Sequence, residues 1–309
     1  MRYLGVALII ILATTSSRAI TTNNGVHETT DNVSAANWST GWTGTGVDGW
    51  SYVGDLGGQG TGGGVYLGNG WVITAAHVGA GSGTYVLDGV SYTVNTSTEH
   101  TIGTADLMMF QISSASGLPK LASLTLASSA PTSSTPMVMI GYGGGTGGTI
   151  STDSKTGVNG FNVNGSTAGV ESWGVSYLSV ADVATAFGPY TSTDYRTTFT
   201  AATNPLRPSA IVQGGDSGGG VFIYDTATKK WELSGILELL YTASGGQSLS
   251  VDSGDQSGII DLSQYAAQID AIEVTNPSAT PEPGATALFG LGLMGGACAL
   301  RRRGLFAAA

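Results

Sequence analysis

Cysteine is almost missing from this 309-residue chain: its single copy, Cys298, lies in an apolar stretch near the C-terminus. The part expected to fold therefore has neither thiol nor disulfide, so cysteine-rich metal sites and thiol catalysis are excluded by count. Positive charge is scarce as well. Five of the 11 Lys and Arg residues (Arg2, Arg18 and Arg301 to Arg303) sit at the two ends, leaving six basic residues against all 21 acids between Glu28 and Glu282. A nucleic-acid binder needs a basic footprint, and none is present. Charged residues make up only 10% of the chain, which excludes a charged disordered tail, a coiled coil and a long helical bundle. What is abundant is glycine, 49 residues, with Thr and Ser beside it. That composition favours many short strands joined by turns.

The two ends carry targeting patterns. Arg2, the apolar run Leu4 to Ala13, and Ser17 and Ala19 in small-x-small spacing follow one another in the order of a secretory signal, with cleavage by a signal peptidase expected after Ala19. At the other end, the Pro-rich stretch Thr275 to Gly284 precedes apolar Ala285 to Leu300 and then Arg301 to Arg303. About 16 to 17 apolar residues is the short limit for a bilayer span, and a basic cluster behind it would hold its end in the cytoplasm. Pro281-Glu282-Pro283, the apolar run and the Arg cluster together resemble the PEP-CTERM sorting signal of Gram-negative exported proteins. The resemblance implies a transient membrane anchor through a C-terminal transmembrane helix. It also implies removal by an exosortase-like processing enzyme and a bacterial envelope, cell-surface or extracellular destination.

Between the ends the signals are strand-like. Gly63 to Leu67 and Trp71 to Ala75 flank Asn69-Gly70, and Gly83 to Leu87 and Val90 to Val94 flank Asp88-Gly89; both are hairpin patterns. Further strands are expected at Trp50 to Leu56, Leu107 to Ile112, Leu121 to Leu126, Met137 to Tyr142, Trp173 to Leu178, Tyr195 to Thr200, Gly220 to Tyr224 and Trp231 to Leu240. Gly143 to Gly169 reads as loops and short hairpins, Ser244 to Gly258 as a long polar loop, and Leu262 to Ile272 as an amphipathic helix with Tyr265, Ile269 and Ile272 on one face. The expected organisation is a signal peptide at 1–19 and an irregular segment at 20–48, pinned by Trp38 and Trp42. A folded domain at 49–272 follows, then a Pro-rich linker at 273–284 and a sorting helix at 285–303. About a dozen short strands and a closing helix argue for all-β barrels or a sandwich.

Chemistry concentrates in three segments. Ser217 lies in Gly214-Gly215-Asp216-Ser217-Gly218-Gly219, where glycines permit a tight turn and leave substrate room. Consecutive N–H groups in such a turn can converge on an anion, which makes Gly215 and Ser217 candidate oxyanion donors. A serine hydroxyl needs a base to become a nucleophile. Of the three histidines, His27 and His100 sit in polar surroundings, whereas His77 ends the apolar strand in Val72-Ile73-Thr74-Ala75-Ala76-His77. The base needs an acceptor on its other ring nitrogen. Asp106, heading the apolar run Leu107 to Ile112, combines chain order and strand context better than Asp88, Glu99 or Asp216.

These segments, in the order His, Asp, Ser, resemble the trypsin-like (chymotrypsin-fold) serine peptidases over about Gly49 to Ile272. The resemblance implies two perpendicular six-stranded antiparallel β-barrels, about 49–125 and 126–272, with a C-terminal helix and the triad His77, Asp106 and Ser217 in the cleft. The implied activity is endopeptidase hydrolysis of a protein or peptide through an acyl-enzyme, with no cofactor and no metal. Departures from the family are visible. No Ile-Val-Gly-Gly activation motif precedes Gly63, so the partner of Asp216 is open: a terminus freed by signal-peptide cleavage, or another group. Counting back from Ser217 without gaps puts Ile211 at the floor of the specificity pocket, where it disfavours basic side chains. Glu238 and Leu240 stand on the wall strand, Leu240 where a small residue is usual. Small or apolar residues at the cleaved position are therefore expected. An α/β-hydrolase esterase would need G-x-S-x-G and its His last, and neither holds. A catalytically inactive homologue acting as a surface protein-binding module is the alternative. Asp252 and Asp255 give a faint calcium signal.

Overall fold

The computed structural model describes residues 20–22, 49–57, 61–144, 146–164, 169–202, 208–243 and 246–275. The expectations for 1–19, for Trp38 and Trp42 and for 285–303 lie outside the described residues. The chain divides into two units, Met1–Asn276 and Pro277–Ala309, and every described residue belongs to the first.

The earliest element corrects the expectation of an irregular start. Ile20 is fully buried, and β1 (Thr21–Thr22) pairs antiparallel with the distant β15 (Ala210–Ile211), Thr21 opposite Ile211. After a 3-10 turn at Trp50–Tyr52, six strands pair in a ring: β2 (Val53–Leu56), β3 (Gly63–Gly68), β4 (Trp71–Ala75), β5 (Thr84–Leu87), β6 (Val90–Thr101) and β7 (Leu107–Ser113). The order is β2-β3-β4-β7-β6-β5, and Asp55 opposite Val86 brings β5 back to β2. The two hairpin signals work as their chemistry demands. Asn69 and Gly70 have φ of 50° and 84°, and Asp88 and Gly89 have 48° and 71°; positive φ at both central residues matches the right-handed twist of the flanking strands.

Leu121 to Leu126, expected as a strand, is a connector. Among the described residues its one β-bridge is Leu126 with Leu233, and the Leu124 N–H donates to Leu67 O at 2.8 Å. The segment runs between Pro119 and the Pro131–Pro136 stretch and has no full strand partner, so Leu121, Leu124 and Leu126 pack against the core instead of building a sheet.

The second half forms a closed six-stranded antiparallel barrel of β8 (Pro136–Gly141), β13 (Ser172–Phe187), β14 (Tyr190–Thr198), β16 (Gly220–Asp225), β17 (Lys230–Tyr241) and β19 (Gln256–Asp261). Short strands β9 (Thr146–Gly147), β10 (Ser151–Thr152), β11 (Asn159–Phe161), β12 (Val163–Asn164) and β18 (Val251–Asp252) lie outside it. β19 begins inside the expected polar loop: only Ile259 and Ile260 are apolar in it, yet both are fully buried. The β13–β14 hairpin is longer than expected. β13 pairs with β8 over Ser172 to Tyr177 and with β14 from Leu178 to Phe187, while β14 meets β19 only from Asp194 onward. Residues 183–193 therefore project beyond the barrel as a two-stranded ribbon. One apolar core joins both halves, with Val65, Trp71 and Leu107 in the same cluster as Trp173, Phe222 and Ile236. The closing helix, α1 (Ala266–Thr275), follows a 3-10 turn at Leu262–Gln264 whose N-cap Asp261 accepts from the Ser263 N–H. Ile269 is buried, and Tyr265 and Ile272 pack against the joint core.

The expected transmembrane helix, and with it the transient membrane anchor, is corrected. Among the described residues no helix is long and apolar enough to cross a membrane. α1, at 10 residues, reaches about 15 Å, half of a hydrocarbon core, and the stretch that suggested a span lies outside the described residues.

Candidate active site

β4 delivers His77 to the edge of the first ring, and the neighbouring β7 carries Asp106 at its head. Because Ala75 lies opposite Leu107, the two loops leave the ladder side by side. The Ala76 N–H donates to Asp106 O at 3.0 Å. The Asp106 carboxylate then takes two donors from one residue: the His77 N–H at 2.7 Å and ring Nδ1 at 2.5 Å. Asp106 is fully buried, and the His77 side chain is 22% exposed. An acceptor at Nδ1 assigns the proton to that nitrogen and leaves Nε2 as the basic lone pair.

Ser217 arrives from the other barrel, in the turn before β16. Gly215 and Gly218 have φ of 92° and 84°, which a side chain would strain. Gly218 also has no room for one: an added Cβ would stand 2.1 Å from Gly63 O and 2.3 Å from Thr74 Oγ1. The turn is fastened across the cleft by the Gly63 N–H donating to Ser217 O at 2.8 Å. Among the described residues, the N–H groups of Gly215 and Ser217 have no internal acceptor, the condition an oxyanion site requires. The Ser217 hydroxyl itself donates to the main-chain oxygen of Glu238 at 3.0 Å. His77 and Ser217 line one cavity of about 250 Å³ together with Phe187, Gln213, Leu239 and Leu240.

The pocket residues divide. Leu240 and Glu238 line this cavity. Ile211 does not, which corrects the ungapped count: it is fully buried with Phe161, Phe199 and Val251. Side chains alternate along a strand, so Ala210 and Val212 face the Met137 and Met139 side, and Val212 reaches the cavity instead. The Glu238 carboxyl turns away toward Ser192, whose hydroxyl donates to it at 3.2 Å. Burial, foremost, and the neighbouring Asp194 and Asp106 push Glu238 up to about 9.

Asp216 is fully buried and accepts from the Gln213 N–H at 2.7 Å and the Gly143 N–H at 2.8 Å. Burial raises its carboxyl to about 7, and among the described residues no basic group is paired with it. The remaining candidates lie apart. His100 sits on β6 beside the Trp71 ring, Glu99 is also on β6, Asp88 occupies the β5–β6 turn, and His27 is outside the described residues. Asp255 spends its carboxylate on the Ala243 and Asp252 N–H groups and the Gln247 amide. Among the described residues no His, Cys, Asp and Glu group is arranged to hold a metal.

Three residues beside the site carry no motif. Phe187, at the ribbon tip, meets the His77 ring edge to face with centroids 4.9 Å apart. Ser192 accepts from the Asp106 N–H at 3.0 Å. Asp194 is fully buried near Glu238. The one available signal was Phe187-Gly188-Pro189-Tyr190, an aromatic pair around a turn dipeptide.

Residues 279–303 match the family model described as the PEP-CTERM protein-sorting motif. This supports an exported, cell-surface-associated bacterial protein. No curated protein matches the chain. Among solved structures, the chain is similar to the Rv3671c protease from M. tuberculosis in its active form, with 17% identity, 76% of this chain and 82% of that one covered, and a TM-score of 0.44. It is also similar to the NS6 protease from murine norovirus 1 (16%, 70% and 92%, 0.38). A third similarity is to the passenger domain of the plasmid encoded toxin from enteroaggregative Escherichia coli (13%, 70% and 22%, 0.44).

Proposed function

We propose that the chain is an exported serine endopeptidase with Ser217 as nucleophile, His77 as general base and then acid, and Asp106 as the group that orients the imidazole. The observation that carries this reading is the double hold of Asp106 on His77, at 2.7 and 2.5 Å, with Ser217 on the same cavity. In the reaction the Ser217 hydroxyl turns from the Glu238 carbonyl to His77 Nε2 and loses its proton there as Oγ attacks the peptide carbonyl. The oxyanion is received by the N–H groups of Gly215 and Ser217, each such donor being worth roughly 3 to 4 kcal/mol. His77 then protonates the leaving amine, and water, activated by the same nitrogen, releases the acyl group. The chemistry calls for no cofactor. The architecture that accompanies it is a pair of perpendicular six-stranded barrels, 49–125 and 126–272, with the cleft between them.

The cavity beside Ser217 is lined by Val212, Leu237 and Leu240, which supports small or apolar side chains at the cleaved position at roughly 0.8 kcal/mol per buried CH₂. Cleavage after Ala19 would leave an α-amino group on Ile20. Extending the β1–β15 register sets Ile20 opposite Val212, next to Gln213, whose N–H binds Asp216. We assign that ammonium as the partner of Asp216. Processing near Pro281 to Pro283 by an exosortase-like enzyme completes the reading.

One observation favours a second reading, an inactive protein-binding homologue: the Ser217 hydroxyl rests on the Glu238 carbonyl. A peptide-library digest separates the two. Cleavage after small or apolar residues, abolished by Ser217→Ala, is the expected result, and binding without cleavage supports the second reading.

A further inference from the structure

Two buried carboxyl groups beside Asp106 have no part in the triad. Glu238 lies on β17 and is 2% exposed; Asp194 lies on β14 and is fully buried. No N–H or O–H makes a well-formed hydrogen bond to either Asp194 oxygen or to Glu238 Oε2. Facing them are each other's carboxyls and the Thr185 hydroxyl. Two bare carboxylates at that depth would repel each other, with Arg196 acting on Asp194 as the one cation beside them, and a single proton held between them satisfies both. The remaining Glu238 oxygen, Oε1, accepts from the Ser192 hydroxyl, and Ser192 Oγ in turn accepts from the Asp106 N–H. The chain of contacts thus runs from the acid pair to the residue that holds His77.

We infer that Glu238 and Asp194 share one proton and that this pair, acting through Ser192, is the positioning device for Asp106 and His77. The inference rests on the peptidase reading for its catalytic consequence, but the shared proton stands on the burial of both carboxyls and the absence of donors to their oxygens. Losing that proton adds a second buried negative charge beside Asp106. The added charge strains the Ser192 bridge to Asp106, so the imidazole is held less well. The charged and titratable groups around the pair are Asp106 with His77 at the head of β7, Arg196 and Tyr195 on β14, and Tyr241 on β17; Arg196 lies over the Tyr241 ring at 4.0 Å. Arg196 is the one cation among them, and it draws toward Asp194. This makes Glu238 the member that keeps the proton.

Two readouts test the pair in the full processed chain. The first is NMR of the Ser217→Ala protein, following the Glu238 carboxyl carbon and the His77 Nδ1–H resonance with pH. Both should move together in one alkaline step near 9, and the step should be absent in Ser217→Ala with Glu238→Gln, since glutamine keeps the Ser192 acceptor but cannot titrate. A Glu238 carboxyl that titrates as an ordinary exposed acid overturns the inference. The second is the pH profile of peptide hydrolysis, each variant scaled to its own maximum. Glu238→Gln should shift the alkaline limb up by about one pH unit or more, and Glu238→Ala should lose about tenfold more kcat than Glu238→Gln at unchanged KM. Superimposable profiles overturn the positioning role. An NMR step in a protein that hydrolyses nothing leaves the acid pair intact and sinks the peptidase reading instead.

Discussion

The ring of Phe187 meets the ring of His77 edge to face, with centroids 4.9 Å apart. The contact links two halves of the fold, since Phe187 belongs to the ribbon that leaves the second barrel and His77 to the first ring. The ribbon is fastened there independently: the Thr191 N–H donates to Thr104 O at 2.8 Å, and the Thr193 N–H to the Tyr265 hydroxyl at 2.8 Å. Phe187 is therefore held as a wall of the cavity over the base.

Replacing that wall tests whether it shapes substrate binding. An edge-to-face pair is worth about 0.5 to 1.5 kcal/mol, so Phe187→Ala is expected to lower kcat/KM for apolar peptides by roughly 3-fold to 10-fold. Most of the loss should fall in KM, with the melting midpoint lowered by only about 2 to 4 °C. Steady-state kinetics and a thermal scan check this. Unchanged KM would place Phe187 outside the substrate path.

The serine turn makes a sharper demand. A methyl group at Gly218 would enter the space of Gly63 O and Thr74 Oγ1, at a φ of 84°. Gly218→Ala is expected to destabilise the protein by about 2 kcal/mol or more and to abolish hydrolysis, because the strain falls next to Ser217. Urea unfolding measures the first part. A variant as stable as the parent would contradict the close approach of the turn to β3.

The buried acids set the direction of the pH dependence of stability. Glu238 is raised, to about 9, above its unfolded value near 4. Such a group contributes stability that is fully present below the unfolded value and is lost as the pH rises through the folded one. The melting midpoint should therefore fall as the pH is raised from 5 to 9, and Glu238→Gln should flatten the upper part of that fall. A midpoint that climbs over this range would mean that Glu238 is ionised and well partnered when folded.

How much of this was legible beforehand follows from where the information lies. β3, β4, β7, β8, β16 and β17 were readable because each is an apolar run bounded by Gly, Asn-Gly or a polar turn. His77, Asp106 and Ser217 were readable because each sits at the edge of such a run. β1 was not, since two threonines have no periodicity and their pairing is set by Ala210 and Ile211 far along the chain. The ribbon was hidden because Val183 to Phe187 lies beyond the barrel and buries only Thr185, so no apolar alternation marks it. Ile211 was misplaced because a count along the sequence carries no information about which face of a strand a side chain takes. The Glu238–Asp194 pair was invisible for the same reason: strand pairing, not sequence proximity, brings the two acids together.

Processing at the N-terminus is tied to the site. If the ammonium of Ile20 neutralises Asp216, a chain retaining even Ala19 should be impaired by about 100-fold in kcat/KM, the scale of leaving one partner of a buried ion pair alone. Asp216→Asn should be similarly impaired. Peptide kinetics of proteins beginning at Ile20 and at Ala19 decide this, equal rates being the contrary result. Intact mass of the mature protein checks the two processing events together, with Ile20 first and Arg301 to Arg303 absent.

The most direct test of the central claim is reaction of the Ile20-starting protein with a phosphonate probe for activated serines, followed by peptide mapping. One adduct is expected, on Ser217, formed in step with loss of peptide hydrolysis and absent in His77→Ala and Asp106→Asn. A folded protein that begins at Ile20 and leaves Ser217 unlabelled, or that is labelled equally without His77, would contradict it.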